Sequence, residues 1–153
     1  MRDLGELNIN GKGNDIKNIV PTPEVVAAFE SRYGIKIPSE YLSLLQFSNG
    51  GHPELDSYET ELGWLSVNRF YSLDTENGSV DNLWVAMEQW RVVLGGMSIP
   101  FANDGGGNVY FLNCGVLPPT VNICLHDEGF RKIEISGSFG EFIDGLKENP
   151  DFI

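Results

Sequence analysis

The sequence predicts an α+β fold, a single domain with a central, mostly antiparallel sheet and flanking helices. Three observations predict it. Two apolar stripes at helical spacing, joined by a very short link, fill residues 22–47. Strand-favouring runs around turn-forming glycines fill the last third. A serine-capped apolar segment follows them. The order reads helix, helix, strands, helix, strands, helix, and its simplest solution is a sheet with helices against one face. A length of 153 residues suits one domain with a sizeable core.

Residues 1–20 carry Gly5, Gly11 and Gly13 among polar neighbours and read as a leader, loose in part, with a short strand at its end. Thr22-Pro23-Glu24 opens the first helix: threonine caps, proline suits the first helical position, and glutamate favours the positive end. Val25, Val26, Phe29 and Tyr33 form its apolar stripe, and Gly34 stops it. Ile35-Lys36-Ile37-Pro38 is an extended link. Pro38 and Ser39 start a second helix with Tyr41, Leu42, Leu44, Leu45 and Phe47 on its buried face. Asn49-Gly50-Gly51, residues that tolerate positive φ, end it.

Residues 53–61 read as an acidic loop, and 63–67 and 68–73 as strands by approximate alternation. A third helix is predicted over 80–94, with Leu83, Met87 and Trp90 on one face. Residues 99–112 read as a hairpin around Asn103-Asp104-Gly105-Gly106-Gly107-Asn108. A second hairpin pairs 121–125 with 130–135 across His126-Asp127-Glu128-Gly129. Ser138 caps the last helix, Glu141 completes a capping box, and Phe139, Phe142, Ile143 and Leu146 form its apolar side. Asn149-Pro150 marks its end.

The formal net charge is −12, from 22 acids and 10 bases. That argues against nucleic-acid binding and against docking on an anionic membrane. It suits a cationic protein partner, the alternative being charge that only keeps the chain soluble. Eight acids lie between Glu54 and Glu88, with Arg69 as the base among them. No apolar run approaches a membrane span and the N-terminus has no signal-type stretch, so a cytoplasmic location is expected. Cys114 and Cys124 read as free thiols, although a strand pair could bring them together to bridge.

Catalytic, metal and cofactor residues are not expected. The glycine run lacks the lysine, serine or threonine and helix start of a phosphate loop, and a strand follows it. Cys124 and His126 share a strand parity, yet neither a metal quartet nor an oxyanion donor accompanies them. The acids Glu54, Asp56, Glu59, Glu61, Asp74, Glu76 and Asp104 are candidates for meeting lysine or arginine of a partner. Tyr58, an aromatic among acids, is a candidate anchor, its alternative being a ring folded back over the sheet edge.

The run from Ile37-Pro38-Ser39-Glu40-Tyr41 through Phe47-Ser48-Asn49-Gly50-Gly51 resembles the signature of the SUKH superfamily. Trp64 with its strand, Ile99-Pro100-Phe101-Ala102, the Asp104-Gly105-Gly106-Gly107-Asn108 turn and Ser138-Phe139-Gly140-Glu141-Phe142-Ile143 extend the likeness across residues 20–150. The chain departs at Asn108, where an acidic residue is common. The resemblance implies a SUKH-like domain over 20–150 after a leader at 1–19, with no shared catalytic residues and no cofactor. Pro38, Tyr41, Asn49, Gly50, Gly51, Trp64, Gly105 and Gly106 are then structural. The Asn-Gly-Gly run is expected to cap a helix. The superfamily includes fungal regulators of cell-wall synthesis and bacterial immunity proteins. The resemblance therefore implies an immunity protein that binds a cognate toxin, expected to be basic and plausibly a nuclease. The alternative is a regulatory adaptor for a cellular protein, and an enzyme is the third class.

Overall fold

The computed structural model describes residues 1–11, 19–74 and 81–150. Its elements are α1 (Pro23–Tyr33), α2 (Ser39–Phe47), β1 (Ser57–Thr60), β2 (Gly63–Ser66), β3 (Arg69–Phe70), α3 (Leu83–Leu94), β4 (Ser98–Asn103), β5 (Val109–Asn113), β6 (Thr120–Leu125), β7 (Arg131–Ser136) and α4 (Phe139–Gly145). The sheet is a five-stranded meander in the order β3-β4-β5-β6-β7, antiparallel throughout, and β1 and β2 form a separate hairpin. The α+β class and the antiparallel sheet with flanking helices are as the sequence predicts.

α1, α3 and α4 start at side-chain caps, and α2 starts after Pro38 without one. Thr22 accepts from the Val25 amide at 3.2 Å, Asn82 from Val85 at 2.9 Å, and Ser138 from Glu141 at 3.1 Å. Asn82 makes α3 begin at Leu83 and not at residue 80, which lies outside the described residues. The last helix ends at Gly145, well before Asn149-Pro150. There Lys147 exchanges two backbone hydrogen bonds with Ser57, at 2.8 and 3.0 Å, and leaves the helix to meet β1.

Helices cover both faces of the sheet, a correction to the one-face arrangement. Strand parity explains it. Tyr110, Leu112, Val121 and Ile123 point to the face packed by α2 and α4. Val109, Phe111 and Cys124 point to the other, where Ala86, Trp90 and Leu94 of α3 cover them. β5 is buried on both sides and so reads as a continuous apolar run instead of an alternation. Phe47, expected on the buried face of α2, is 54% exposed. Trp64, expected to be structural, stands 40% exposed on β2.

The Asn-Gly-Gly segment does not cap α2. Ser48 closes that helix, through its amide to Leu44 at 2.7 Å. Asn49 is buried and brackets the chain beyond β3: its amide donates to the carbonyls of Leu73 (2.8 Å) and Ile19 (2.9 Å), and its oxygen accepts from the Leu73 amide (2.7 Å). Gly50 follows at φ 88°, where a Cβ would lie 3.0 Å from the Ser72 backbone nitrogen, so only glycine fits. Leu4–Leu7 forms a 3-10 turn that buries Leu7 completely, and the Arg2 guanidinium donates to the carbonyls of Ile143 and Leu146 at the end of α4.

Two outcomes follow. Asn49→Ala leaves the buried amide and carbonyl of Leu73 without partners and should cost about 2–4 kcal/mol in urea unfolding. Burial holds the hydroxyls of Tyr41 and Tyr110 neutral well above the usual tyrosine range. In the unfolded chain they ionise near pH ~10, so their contribution is fully present below that pH and is lost progressively as pH rises from there toward their raised folded-state values. Stability should fall by up to about 1.4 kcal/mol per pH unit per tyrosine above pH ~10, as measured by unfolding at stepped pH.

Candidate functional site

Several of the acids predicted to meet a partner are engaged within the chain. Glu54 accepts a hydrogen bond from the Asn8 side chain. Asp56 accepts from the Ser57 hydroxyl at 3.0 Å and lies 3.9 Å from His52. Asp74 is half-buried, and desolvation raises its carboxyl above the usual range. Glu76 lies outside the described residues. Asp104 is used within its own turn, accepting from the amides of Gly106 (2.8 Å) and Asn108 (3.0 Å) and from the Asn108 side chain (2.7 Å). Two further acids of the same interval are paired. Asp81 lies 3.5 Å from Arg69, and Glu88 meets Arg32 and the Tyr33 hydroxyl, which hold its carboxyl below the usual range.

Residues 53–61 are not simply a loop, because Ser57–Thr60 is strand β1. Tyr58 is not an exposed anchor. Its ring lies 5.0 Å from that of Phe142 and against Gly145, where a Cβ would come within 2.5 Å of it. Its hydroxyl donates to the Ile135 carbonyl at 3.3 Å. Tyr58 therefore clips the β1–β2 hairpin onto α4 and β7, together with the Ser57–Lys147 pairing.

That clip creates the site. The hairpin stands beside β6 and β7 and leaves an open groove of about 1000 Å³ between them. Its floor is apolar: Leu65 from β2, Ile123 and Leu125 from β6, and Ile133 and Ile135 from β7. Ile123 is buried, and the other four are half-buried. Four glutamates line it: Glu61 in the β1–β2 turn and Glu128 in the β6–β7 turn, with Glu59 opposite Trp64 and Glu134 opposite Asn122 on the strand faces turned away from the apolar floor. Arg131 is the one base lining it among the described residues, 3.5 Å from Glu128. Among the described residues, no hydrogen bond or ion pair engages the side chains of Glu59, Glu61 or Glu134.

The far end of the groove is held by two joined turns. Asn108 donates to Asp104 while its carbonyl oxygen accepts from the His126 amide (3.0 Å) and ring Nδ1 (2.8 Å). A carboxylate at 108 could not donate to Asp104, which gives the asparagine a physical reason. Beyond His126, Phe130 sits at φ 60°, a strained conformation for a bulky residue. Its ring lies edge-on to Trp90 at 6.2 Å, and that contact fastens the β6–β7 turn to α3. His126 thus belongs to the turn, and Cys124 is fully buried in the α3-facing core.

Of the predicted contacts, the structure brings Glu59 and Glu61 together with Glu128 and Glu134, which the sequence reading did not single out. The signal was present in the parity of Ile123, Leu125, Ile133 and Ile135, which share one face of paired strands. Among the described residues, no cluster of three or more His, Cys, Asp or Glu could hold a metal ion, and no helix is long and apolar enough to cross a membrane.

The sequence profile of the SMI1 / KNR4 family (SUKH-1) matches residues 21–145. The chain belongs to that family. Its SUKH-1 domain places α1 through α4 and every strand inside the matched span, and so the whole of the groove. No curated protein matches the chain. The family is generally one of non-catalytic immunity and regulatory proteins, and the chemistry of this SUKH-1 domain agrees with binding more readily than with nucleophilic attack. Burial pushes the Cys114 thiol up to about 11 and raises that of Cys124, and both are free. At pH 8 about one Cys114 in a thousand is then thiolate. Iodoacetamide should label both native cysteines at least about 100-fold more slowly than the urea-unfolded chain, read by intact mass.

Proposed function

We propose that this SUKH-1 domain is an immunity protein, which neutralises a cognate bacterial toxin domain by non-catalytic contact with a basic surface of it. The observation that carries this reading is the groove itself, a half-buried aliphatic floor between two acidic banks. Protein interfaces combine an apolar centre with a polar rim, and a rim of one sign selects a partner of the other. Family membership supports it, because toxin immunity is known among SUKH proteins. The net charge of −12 supports it as well, since a field of that sign speeds encounter with a cationic protein. A nuclease is a fitting target: it carries a basic substrate surface that an acidic protein covers in place of nucleic acid.

The test is affinity capture of the tagged chain from its own host under conditions where toxin production is confirmed, followed by growth rescue on co-expression. One basic toxin domain should be recovered. Its association rate should fall about tenfold or more between 50 mM and 500 mM salt, with a smaller change in dissociation. Recovery of ordinary cellular proteins without a toxin would replace immunity by the regulatory adaptor reading.

A further inference from the structure

The groove is specific enough in shape and charge to say what enters it. Its two banks come from different parts of the fold, Glu59 and Glu61 from the hairpin and Glu128 and Glu134 from the sheet. The apolar floor lies between them, with Glu61 at the hairpin turn and Glu128 at the β6–β7 turn, so an occupant meets a carboxylate on each side of a hydrophobic strip. A purely anionic ligand is repelled by four glutamates against one arginine. A purely polar cation gains nothing from Leu65, Leu125, Ile133 and Ile135, which are half-buried and lose water when covered. A volume of about 1000 Å³ is at the upper end of small-molecule sites and has room for several residues of a peptide chain.

We propose that the groove takes an extended cationic segment of the partner protein, with aliphatic side chains laid on the Leu65–Leu125–Ile133 floor and flanking lysines or arginines reaching the two glutamate banks. This rests on the reading that the partner is a basic protein and adds where and how it is held. Leu125 and Ile133 supply the floor on the sheet side and Leu65 closes it from the hairpin. Arg131, beside Glu128, narrows the choice by setting a like charge at one end of the sheet bank.

Three capped heptapeptides probe this on the full chain: alternating lysine and leucine, alternating lysine and serine, and alternating glutamate and leucine. Amide NMR shifts locate each probe and titration gives its affinity. The lysine–leucine peptide should shift the resonances of Leu65, Leu125, Ile133 and Ile135 and bind about tenfold or more tighter than either control. The Glu59→Lys/Glu61→Lys pair changes exposed side chains and should weaken it about tenfold or more. The Glu24→Lys/Glu148→Lys pair makes the same change of net charge away from the groove and should weaken it less than about twofold.

Several results overturn the proposal: shifts on α1 or α3 in place of the groove, equal binding of the lysine–serine peptide or of spermidine, or equal loss in both charge-reversed pairs. The toxin complex separates this inference from the broader reading. A captured toxin that binds the Glu59→Lys/Glu61→Lys chain as tightly as the original leaves immunity standing and removes the groove. A groove that holds the lysine–leucine peptide as described, in a chain that captures no toxin, keeps the site and removes immunity.

Discussion

Phe101 is the contact on which the rest of the molecule depends. It is fully buried at the centre of β4, and its ring lies within 5.3–6.5 Å of Tyr41, Phe70, Tyr110, Phe139 and Phe142. Those five rings come from α2, β3, β5 and α4, so one side chain joins every layer on that face of the sheet. Edge-to-face and tilted pairs of this kind contribute about 0.5–1.5 kcal/mol each beyond the area they bury. The chain of contact continues outward from Phe142 to Tyr58 at 5.0 Å, and from Tyr58 to the hairpin. The position of the groove is therefore a consequence of core packing. The hairpin is too short to be stable alone and takes its place from the ring it inserts against α4.

Polar brackets do what the apolar core cannot, which is to fix the register of segments without regular structure. Asn49 gives the stretch after β3 the hydrogen bonds that a longer strand would have had. The Asp104–Asn108–His126 relay ties two hairpin turns whose strands are neighbours in the sheet. Both are side-chain substitutes for backbone pairing, and both sit in motifs whose glycines attract attention first. In each motif the polar residue, and not the glycine run, carries the directional information.

This explains which parts of the structure were legible in the sequence. Helices whose caps the sequence showed were, because Thr22 and Ser138 act locally on amides a few residues away, whereas α3 was expected from residue 80 and starts after its Asn82 cap. The hairpins at 98–113 and 120–136 were, because turn chemistry and strand pattern agree there. β1 was not, because Ser57-Tyr58-Glu59-Thr60 is polar by composition and is ordered by Phe142, Gly145 and Lys147, residues remote in sequence. The same remoteness hid half of the groove. Glu59 and Glu61 were visible as acids among acids, but Glu128 and Glu134 lie some seventy residues on and join them through the tertiary fold. Tyr58, read as a surface aromatic or a ring folded over the sheet edge, turned out to be the second of these.

Net charge alone would be a weak guide to where a partner binds. At physiological ionic strength the Debye length is about 8 Å, so acids spread over a surface act on an approaching protein mainly as a diffuse field. Many of the acids here are also engaged: Glu88 with Arg32, Asp81 with Arg69, Asp104 within its turn and Glu54 with Asn8. Glu61 and Glu128 differ in flanking the apolar strip of the groove. A cation docked there would displace water from the strip while meeting its carboxylates, and lower local polarity strengthens each of those ion pairs. Local desolvation, more than the total of −12, is what turns this acidic surface into a place where a particular sequence can be held.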